Sequence, residues 1–315
     1  MARRSLNPYL FIVGSPRSGT TMLKRMLDEH RDLAITRETH WIPRFFERSI
    51  GLDDQRYVTP EIVPALFEYP RFQHLKISRT MVEDVILQSD RLSYADFVSR
   101  LFDLYGERKQ KRLVGDKTPG YVRKIGVLHQ LWPRTRFIHI IRDGRDVTLS
   151  MLTWRMAHRA AGRRGTWEED PVTTTALWWE WHIRLGREAG GELSDGLYHE
   201  LMYEDLVADT ENCCRSVCGH LDLDFDDSML RYYEGKTRDA SDLSANGAWL
   251  PPTQGLRDWH TQMTPEDQER FEAASGALLD ELGYERAVSH PSAAALEHAK
   301  RLRARFDGRP LPASW

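Results

Sequence analysis

The most constraining feature of this chain is a stretch near its start, residues 9–29, that reads as a strand, a glycine loop and a helix. Residues 9–13 (YLFIV) are a short apolar run typical of a strand. Residues 14–19 (GSPRSG) form the loop, and from Thr20 onward apolar residues recur at helical spacing. A helix that begins directly after a glycine loop presents unpaired backbone N–H groups and the positive end of its dipole. The stretch therefore predicts an anion site, with phosphate as the usual anion.

The loop departs from the triphosphate-binding pattern G-x-x-x-x-G-K-[ST] at one position. Gly14, Gly19 and Thr21 match it, but Thr20 stands where the lysine that reaches the β- and γ-phosphates belongs. The absence of that lysine favours a nucleotide with a shorter phosphate arm. Arg17, inside the loop, can place a cation beside the group attached to the first phosphate.

A second strand–turn–helix unit lies at residues 136–152. Residues 137–141 (FIHII) predict a buried strand, Arg142 ends it, Gly144 provides the turn and a helix follows. Arg142 and Ser150 can converge on one phosphate, because arginine supplies a planar fork of donors and serine a hydroxyl. Alone, the segment fits surface ion pairs equally well. Beside the glycine loop it predicts a second phosphate site, and hence a nucleotide phosphorylated at two places.

Candidate catalytic groups follow two further predicted strands. A strand at residues 32–36 precedes Glu38 and His40, and a strand that begins at residue 113 reaches Lys117 before Pro119 opens a helix. Because α/β folds place their chemistry at the carboxyl ends of strands, we expect these side chains in the same cleft as Arg17. Taken alone, Glu38 and His40 also fit the charged first turn of a helix, and Lys117 fits a surface residue.

Most of the remaining chain is predicted to be helical. Residues 50–112 are expected to form helices broken at Pro60, Pro64 and Pro70. Residues 197–207 predict one more strand, which ends at Tyr203 and Glu204. Periodic apolar residues predict further helices at residues 94–112, 171–190, 210–221, 226–233, 264–282 and 292–306.

Two segments lack a regular pattern. Residues 155–170 are basic and glycine-containing, so they predict a flexible segment, either a lid over an anionic ligand or an exposed loop. Residues 235–263 form a long irregular segment that carries Arg257, Trp249 and Trp259. Long irregular segments inside compact domains are usually functional, so this one is expected to close over the ligand, with Arg257 adding charge and a tryptophan a stacking face.

The length fits one large α/β domain or two small ones. The succession of strand–turn–helix units implies a single α/β domain with a central, mainly parallel sheet flanked by helices. Of 315 residues 41% are apolar, which is enough for a sizeable core. The net charge of −3 gives no overall signature of nucleic-acid or membrane binding. We expect the domain to occupy residues 1–290 and a helical tail to occupy residues 291–315.

The three cysteines predict a reducing compartment. Cys213, Cys214 and Cys218 lie within six positions and do not form a spaced disulfide framework. Without a matching histidine spacing, buried structural thiols are a better interpretation than metal ligands. The first residues lack the long apolar run of a signal peptide, and no run approaches the ~20 apolar residues of a membrane span. A cytoplasmic location is therefore expected.

At this point the motifs carry a family resemblance. VGSPRSGTT together with RDGRDVTLS resembles the sulfotransferases that use 3′-phosphoadenosine 5′-phosphosulfate (PAPS). The first motif resembles their 5′-phosphosulfate loop. The second resembles their 3′-phosphate motif, in which an arginine and a serine eight residues later bind the 3′-phosphate. Arg142 and Ser150 have the same spacing.

The likeness is strongest to the protein-tyrosine sulfotransferase branch. Further shared landmarks follow in order, namely Glu38-Thr39, Ile42-Pro43, the Lys117–Pro119 turn, RDGR, and Tyr203–Val207. In the cytosolic small-molecule branch a lysine stands in place of Arg17, and the base is the histidine of a Lys-Thr-His turn. Here that turn ends in Pro119, so the resemblance favours Glu38 as base, with His40 as the alternative.

The resemblance implies a role for each matching residue. Arg17 and Lys117 would stabilise the sulfuryl group in transit, and Glu38 would take the acceptor's proton. No metal is required, because positioning and electrostatics dominate such transfers. The implied donor-binding residues are Pro16, Arg17, Ser18, Gly19, Thr20, Thr21, Arg142, Ser150, Tyr203 and Arg257.

Two other functions fit parts of the pattern. A P-loop kinase or NTPase would use the same loop, but it normally needs the missing lysine. A non-catalytic sensor of a bisphosphate nucleotide would keep the phosphate residues but would need neither Glu38 nor Lys117. The acceptor stays open among small molecules, glycans and peptides. Nucleic acid is not expected as a partner, and a homodimer is compatible with the sequence.

Overall fold

Five parallel strands form one sheet in the computed structural model, which describes residues 5–234, 250–253 and 255–309. In spatial order the strands run β2-β3-β1-β4-β5. The predicted class, a parallel sheet flanked by helices, is confirmed. The strands are β1 (Leu10–Gly14), β2 (Leu33–Thr36), β3 (Leu113–Lys117), β4 (Arg136–Ile141) and β5 (Tyr198–Met202).

Helices cover both faces of this sheet. The α-helices of the described chain are α1 (Thr20–Glu29), α2 (Trp41–Glu47), α3 (Ile62–Glu68), α4 (Arg79–Leu87), α5 (Tyr94–Lys109), α6 (Ile125–Leu131), α7 (Gly144–Leu152), α8 (Ala157–Ala160), α9 (Pro171–Gly191), α10 (Tyr203–Ala208), α11 (Thr210–His220), α12 (Trp259–Gln262), α13 (Pro265–Glu281) and α14 (Ala293–Asp307). Its 3₁₀ helices span Phe72–Leu75, Pro119–Lys124, Ala161–Arg164 and Asp227–Arg231.

The strand register brings the predicted motifs to one edge. Ile12 of β1 lies opposite Lys117 of β3, and Gly14 lies opposite Ile140 of β4. The glycine loop, Lys117 and Arg142 therefore all leave the sheet at its carboxyl edge, where parallel α/β folds bind ligands. β1 has four fully buried apolar residues, as expected of a central strand covered on both faces.

Three details of the predicted elements are wrong. Pro64 does not break a helix but lies in the first turn of α3, where its missing N–H is not needed. The fifth strand ends at Met202, because Tyr203 begins α10, whose first turn carries Glu204 and Asp205 at the positive end of the dipole. Residues 226–233 contain a short 3₁₀ helix rather than an α-helix.

Residues 155–170 do not form an exposed loop, which was one of the two structures predicted for them. Ala157, Ala160 and Ala161 are buried in the cluster of apolar side chains beneath α9. The guanidinium of Arg164 lies 4.4 Å from the ring of Trp181 and 4.6 Å from that of Phe306. Arginine stacks readily on aromatic faces, so the basic composition of this segment did not imply exposure.

The C-terminal helix α14 packs on the same cluster. Leu302 and Phe306 are buried there, and Ser292 caps the helix by accepting a hydrogen bond from the N–H of Ala295. Thr264 caps α13 in the same way, by accepting a hydrogen bond from the N–H of Asp267. The boundary proposed at residue 290 stays a prediction.

A buried histidine in β4 makes stability depend on pH. His139 is fully buried, one ring nitrogen lies 2.6 Å from the hydroxyl of Tyr198, and burial lowers the pKa of His139 to about 3. Burial also lowers the pKa of His182. Below pH ~6.5 the unfolded chain binds protons that the folded chain excludes, so stability falls as the pH drops from there toward the folded pKa.

We therefore expect His139→Gln to flatten this dependence. Between pH 6 and 4 the free energy of unfolding should fall less steeply than in the parent, by about 1.4 kcal/mol per pH unit for the one lost titration. Urea unfolding at several pH values measures the slope. His158, whose side chain is 64% exposed, provides the control variant His158→Gln, which should keep the parent slope. Equal slopes in the parent and His139→Gln would show that His139 does not contribute to the pH dependence of stability.

Candidate active site

The glycine loop closes tightly around the start of α1. Gly19 has φ 91° and precedes the helix, and a Cβ there would lie 2.4 Å from the ring of Tyr203, so only glycine fits. The Oγ atoms of Ser15 and Ser18 are buried and have no hydrogen-bond partner among the described residues. Buried hydroxyls are normally satisfied, so these two, together with the first N–H groups of α1, are donors that an anion could use.

Arg17 joins the two predicted phosphate motifs. It has φ 76°, and its Nε donates a hydrogen bond of 3.0 Å to Oγ of Ser150. Its guanidinium lies 5.4 Å from the ring of Trp154. Burial, together with the positive charges of Arg257 and Arg142, lowers the pKa of Arg17 to about 10. Three arginines that repel one another in a partly buried cleft create a positive potential that attracts an anion.

Arg142 enters the same cleft from the end of β4. Its guanidinium lies 4.3 Å from the ring of Tyr203, and its Nη2 donates to Oδ2 of Asp146 at 2.9 Å. Its Nε is buried and has no partner among the described residues. The backbone carbonyl of Arg142 accepts a 3.0 Å bond from Nε1 of Trp179, which holds the strand end in place. A donor of Arg142 thus stays available for a ligand.

The described part of the predicted closing segment lies over α7. Arg257 donates to Oγ1 of Thr153 at 3.1 Å, and the N–H of Trp259 donates to Oδ1 of Asp146 at 3.0 Å. Arg257 and Trp259 line a cavity of about 520 Å³ at the start of α7. Residues 235–249, including Trp249, lie outside the described residues.

A second charged cluster centres on Glu38. Its Oε1 accepts from Nζ of Lys117 at 2.8 Å, and its Oε2 accepts from Arg71 at 2.9 Å and lies 3.0 Å from Nε2 of His40. Burial alone would raise the pKa of Glu38, but the charge of Lys117 and the hydrogen bond from His40 outweigh it and hold that pKa well below its usual range. The charge of Glu38 partly offsets the lowering of the pKa of Arg17, so the two clusters lie within electrostatic reach of each other.

Hydrogen bonds from β3 hold the Glu38 segment in place. Asp116 is buried and accepts from Oγ1 of Thr36 at 2.8 Å, and Oγ1 of Thr118 accepts from the N–H of Thr39 at 3.0 Å. Oγ1 of Thr39 also lies 2.7 Å from the hydroxyl of Tyr121. Burial raises the pKa of Asp116 to about 6. The strand that carries Lys117 therefore also anchors the residues on both sides of Glu38.

Sequence reasoning missed Arg71, Asp116 and Asp146. Arg71 follows Pro70 in a segment without any periodic pattern, so nothing pointed to it. Asp116 did leave a signal, because an acidic residue inside a buried strand needs a partner or a function. Asp146 lies four residues after Arg142, in the first turn of α7, and forms an ion pair with it.

The described residues contain neither a metal-binding cluster nor a helix that could span a membrane. Within residues 5–234, 250–253 and 255–309, His, Cys, Asp and Glu nowhere gather in a group of three or more that could hold a metal ion. Over the same ranges the helices lack the combined length and apolarity that crossing a bilayer requires. Cys213, Cys214 and Cys218 are free thiols, and burial raises the pKa of Cys214 to about 12.

Comparison with known proteins matches this arrangement to a family. The sequence profile described as "Sulfotransferase family" matches residues 8–227, well over half of the chain. The chain belongs to the sulfotransferase family. The matched residues include both phosphate motifs, Glu38 and Lys117, so the resemblance stated from the motifs is confirmed.

The relatives of this sulfotransferase-family chain include protein-tyrosine sulfotransferases. It is 24% identical over 292 residues to the protein-tyrosine sulfotransferase of Drosophila melanogaster, an alignment that covers 90% of this chain and 53% of the relative. It is 25% identical to protein-tyrosine sulfotransferase 1 of Danio rerio, over 90% of this chain and 74% of the relative. The chain thus spans about half to three quarters of the length of these relatives.

Solved structures show the same fold. The sulfotransferase domain of the curacin biosynthetic pathway superposes with a TM-score of 0.60 at 23% identity, over 88% of this chain and 98% of that domain. The sulfotransferase domain of the Synechococcus PCC 7002 olefin synthase gives a TM-score of 0.52 at 22% identity, over 99% of this chain and 98% of that domain.

Proposed function

We propose that this protein transfers a sulfuryl group from PAPS to an acceptor hydroxyl or amine. One observation carries the proposal, namely the hydrogen bond from Arg17 to Ser150, which joins the glycine loop to the helix that follows Arg142. A nucleotide with phosphates at both ends of its ribose is the ligand that uses both motifs. Family membership and the tyrosine-sulfotransferase relatives support the same reaction.

In this proposal the donor is held at three points. The N–H groups at the start of α1 and the hydroxyls of Ser18, Thr20 and Thr21 bind the 5′-phosphate. Arg142, Ser150 and Arg257 bind the 3′-phosphate, and Tyr203, beside Gly19, packs against the nucleoside. Arg17 currently donates to Ser150 and Arg142 to Asp146, so donor binding exchanges these contacts for contacts to phosphate oxygens.

The proposed transfer is an in-line displacement. The acceptor oxygen forms a bond to sulfur while the bond from sulfur to the 5′-phosphate oxygen breaks, and the electron pair leaves with 3′-phosphoadenosine 5′-phosphate (PAP). Arg17 and Lys117 stabilise the charge that develops on the sulfuryl and leaving oxygens. The acceptor's proton goes to the Glu38–His40 pair, in which the resemblance names Glu38 as the base. No residue in this scheme requires a metal ion.

Binding and transfer assays test this function. Calorimetric titration should give a dissociation constant for PAP at least about tenfold lower than for ATP, because a bisphosphate uses both motifs. Tighter binding of ATP would favour a kinase or NTPase. Radiolabelled PAPS offered with a panel of phenols, glycans and peptides should yield a labelled product. Tight PAP binding without any labelled product would favour a nucleotide sensor.

Arg142→Ala should weaken the binding of PAP by about 10- to 100-fold, because it removes a charge-assisted contact to the 3′-phosphate. Calorimetry with PAP and with adenosine 5′-monophosphate measures the effect. The monophosphate lacks the 3′ group, so its affinity should change little. Arg215→Ala, at a half-exposed arginine paired with Glu211, is the control. An unchanged affinity for PAP in Arg142→Ala would show that Arg142 does not bind the 3′-phosphate.

Three further expectations stay proposals. The acceptor is a small molecule, glycan or peptide that reaches Glu38. A cytoplasmic location rests on the three free cysteines, which suit a reducing compartment. A homodimer is compatible with the fold.

A further inference from the structure

The carboxylate of Glu38 is surrounded by donors on both oxygens. Oε1 accepts a hydrogen bond from Lys117, and Oε2 lies within 3.0 Å of nitrogen atoms of both Arg71 and His40. Hydrogen bonds and positive charges of this kind stabilise the ionised carboxylate and so weaken it as a base. A carboxylate in this state orients a neighbour better than it removes a proton.

His40 is the neighbour that it orients. An ionised carboxylate can only accept a hydrogen bond, so the 3.0 Å contact requires a proton on Nε2 of His40. The neutral ring then carries its lone pair on Nδ1. Among the described residues nothing forms a hydrogen bond with Nδ1, and the side chain is 35% exposed, so a substrate can reach it.

The backbone and the surrounding charges fit this role. His40 has φ 56°, a strained conformation for a non-glycine residue, and such strain is concentrated at functional sites. The charged groups that face its ring are Glu38, Lys117 and Arg71, and a small cleft beside it is lined by Arg44, Arg123 and Lys124. Burial lowers the pKa of His40 below its ordinary value, and the charge of Arg71 adds to this, although the hydrogen bond to Glu38 acts in the opposite direction.

We propose that Nδ1 of His40 takes the acceptor's proton, with Glu38 as the positioning residue that fixes the imidazole. This deepens the proposed function and rests on it. As the acceptor oxygen bonds to sulfur, its proton moves to Nδ1, the imidazolium that forms is stabilised by Glu38, and PAP leaves with the electron pair. The pair thus works as a carboxylate and an imidazole do in other proton-transfer sites.

Nitrogen NMR of ¹⁵N-histidine-labelled protein tests the tautomer without any acceptor. The resonances of His40 are assigned by their loss in His40→Gln. At pH 7 we expect a neutral ring with its proton on Nε2, and an apparent pKa below 6.5. Glu38→Gln should disturb this tautomer. A proton on Nδ1, or a cationic ring at pH 7, would overturn the proposal.

Kinetics of His40→Gly test the proton transfer itself. Glycine suits φ 56°, so this variant should fold, and it leaves room for added imidazole. With PAPS and 2-naphthol as probe acceptor, turnover should fall by about 100-fold and recover with imidazole, and the acidic limb of the parent's pH profile should disappear. Turnover within threefold of the parent, or an acidic limb that persists, overturns the proposal. The proposed function itself is tested separately, by the affinity of the parent for PAP and by its formation of sulfated product.

Discussion

Glu38→Gln should lower turnover by about 100-fold or more while the affinity for PAP stays within about threefold. Glutamine nearly preserves the shape of the side chain but removes its charge. Lys117 and Arg71 then lose their counter-charge, and the imidazole of His40 loses the ionised carboxylate that fixes its tautomer. Because the proposed phosphate contacts involve other residues, the loss should appear in kcat rather than in donor binding.

The experiment measures product formation from radiolabelled PAPS and PAP affinity by calorimetry in the same preparations. Glu211→Gln is a matched control, since Glu211 also pairs with a cation, at 2.7 Å from Nη2 of Arg215, but lies on α11, outside the Glu38 cluster. Its turnover should equal that of the parent. Parent-like turnover in Glu38→Gln would remove this carboxylate from the mechanism.

The two variants of the Glu38–His40 pair report different things. Loss of Glu38 should be harmful whether the carboxylate takes the proton itself or positions His40. Loss of His40 is harmful, and restorable by imidazole, only if the imidazole takes the proton. The pair of variants therefore separates the role named by the resemblance from the role indicated by the donors around Glu38.

The meeting of the glycine loop with the Arg142–Ser150 segment could be predicted from sequence because both motifs are local. Gly14 and Gly19 belong to one strand–turn–helix unit, and Arg142 and Ser150 to another, so spacing along the chain becomes spacing in the fold. The parallel register then brings both units to one edge of the sheet. Patterns of strands and helices were sufficient for this step.

The surroundings of Glu38 could not be predicted in that way. Arg71 reaches Glu38 across 33 residues from a segment without periodicity, so only the tertiary fold joins them. The same holds for Arg164, whose charge suggested exposure although its guanidinium lies between Trp181 and Phe306. Long-range contacts of charged side chains depend on how the helices pack, which local spacing does not encode.

A buried charge network ties the start of α7 to α13. Arg145 is fully buried and donates to Asp143 and, at 2.7 Å, to Oε1 of Glu272. Its guanidinium lies 3.5 Å from the ring of Trp259. Glu272 also accepts from Arg286 and from two backbone N–H groups, those of Ala287 and Val288. Each member is satisfied only while the others are present.

Glu272→Ala should therefore destabilise the protein by about 3–5 kcal/mol, because it leaves Arg145 buried without its carboxylate partner on α13. At roughly 2–4 °C per kcal/mol, the melting temperature should fall by on the order of 10 °C. PAP affinity should also fall, because α7 carries Ser150 and follows directly on Arg142. Differential scanning calorimetry measures the first effect and titration with PAP the second. Glu266→Ala removes an ion pair from the surface of the same helix, where the carboxylate is 72% exposed, and should shift the melting temperature little. If both variants melt together with the parent, the network does not stabilise the fold.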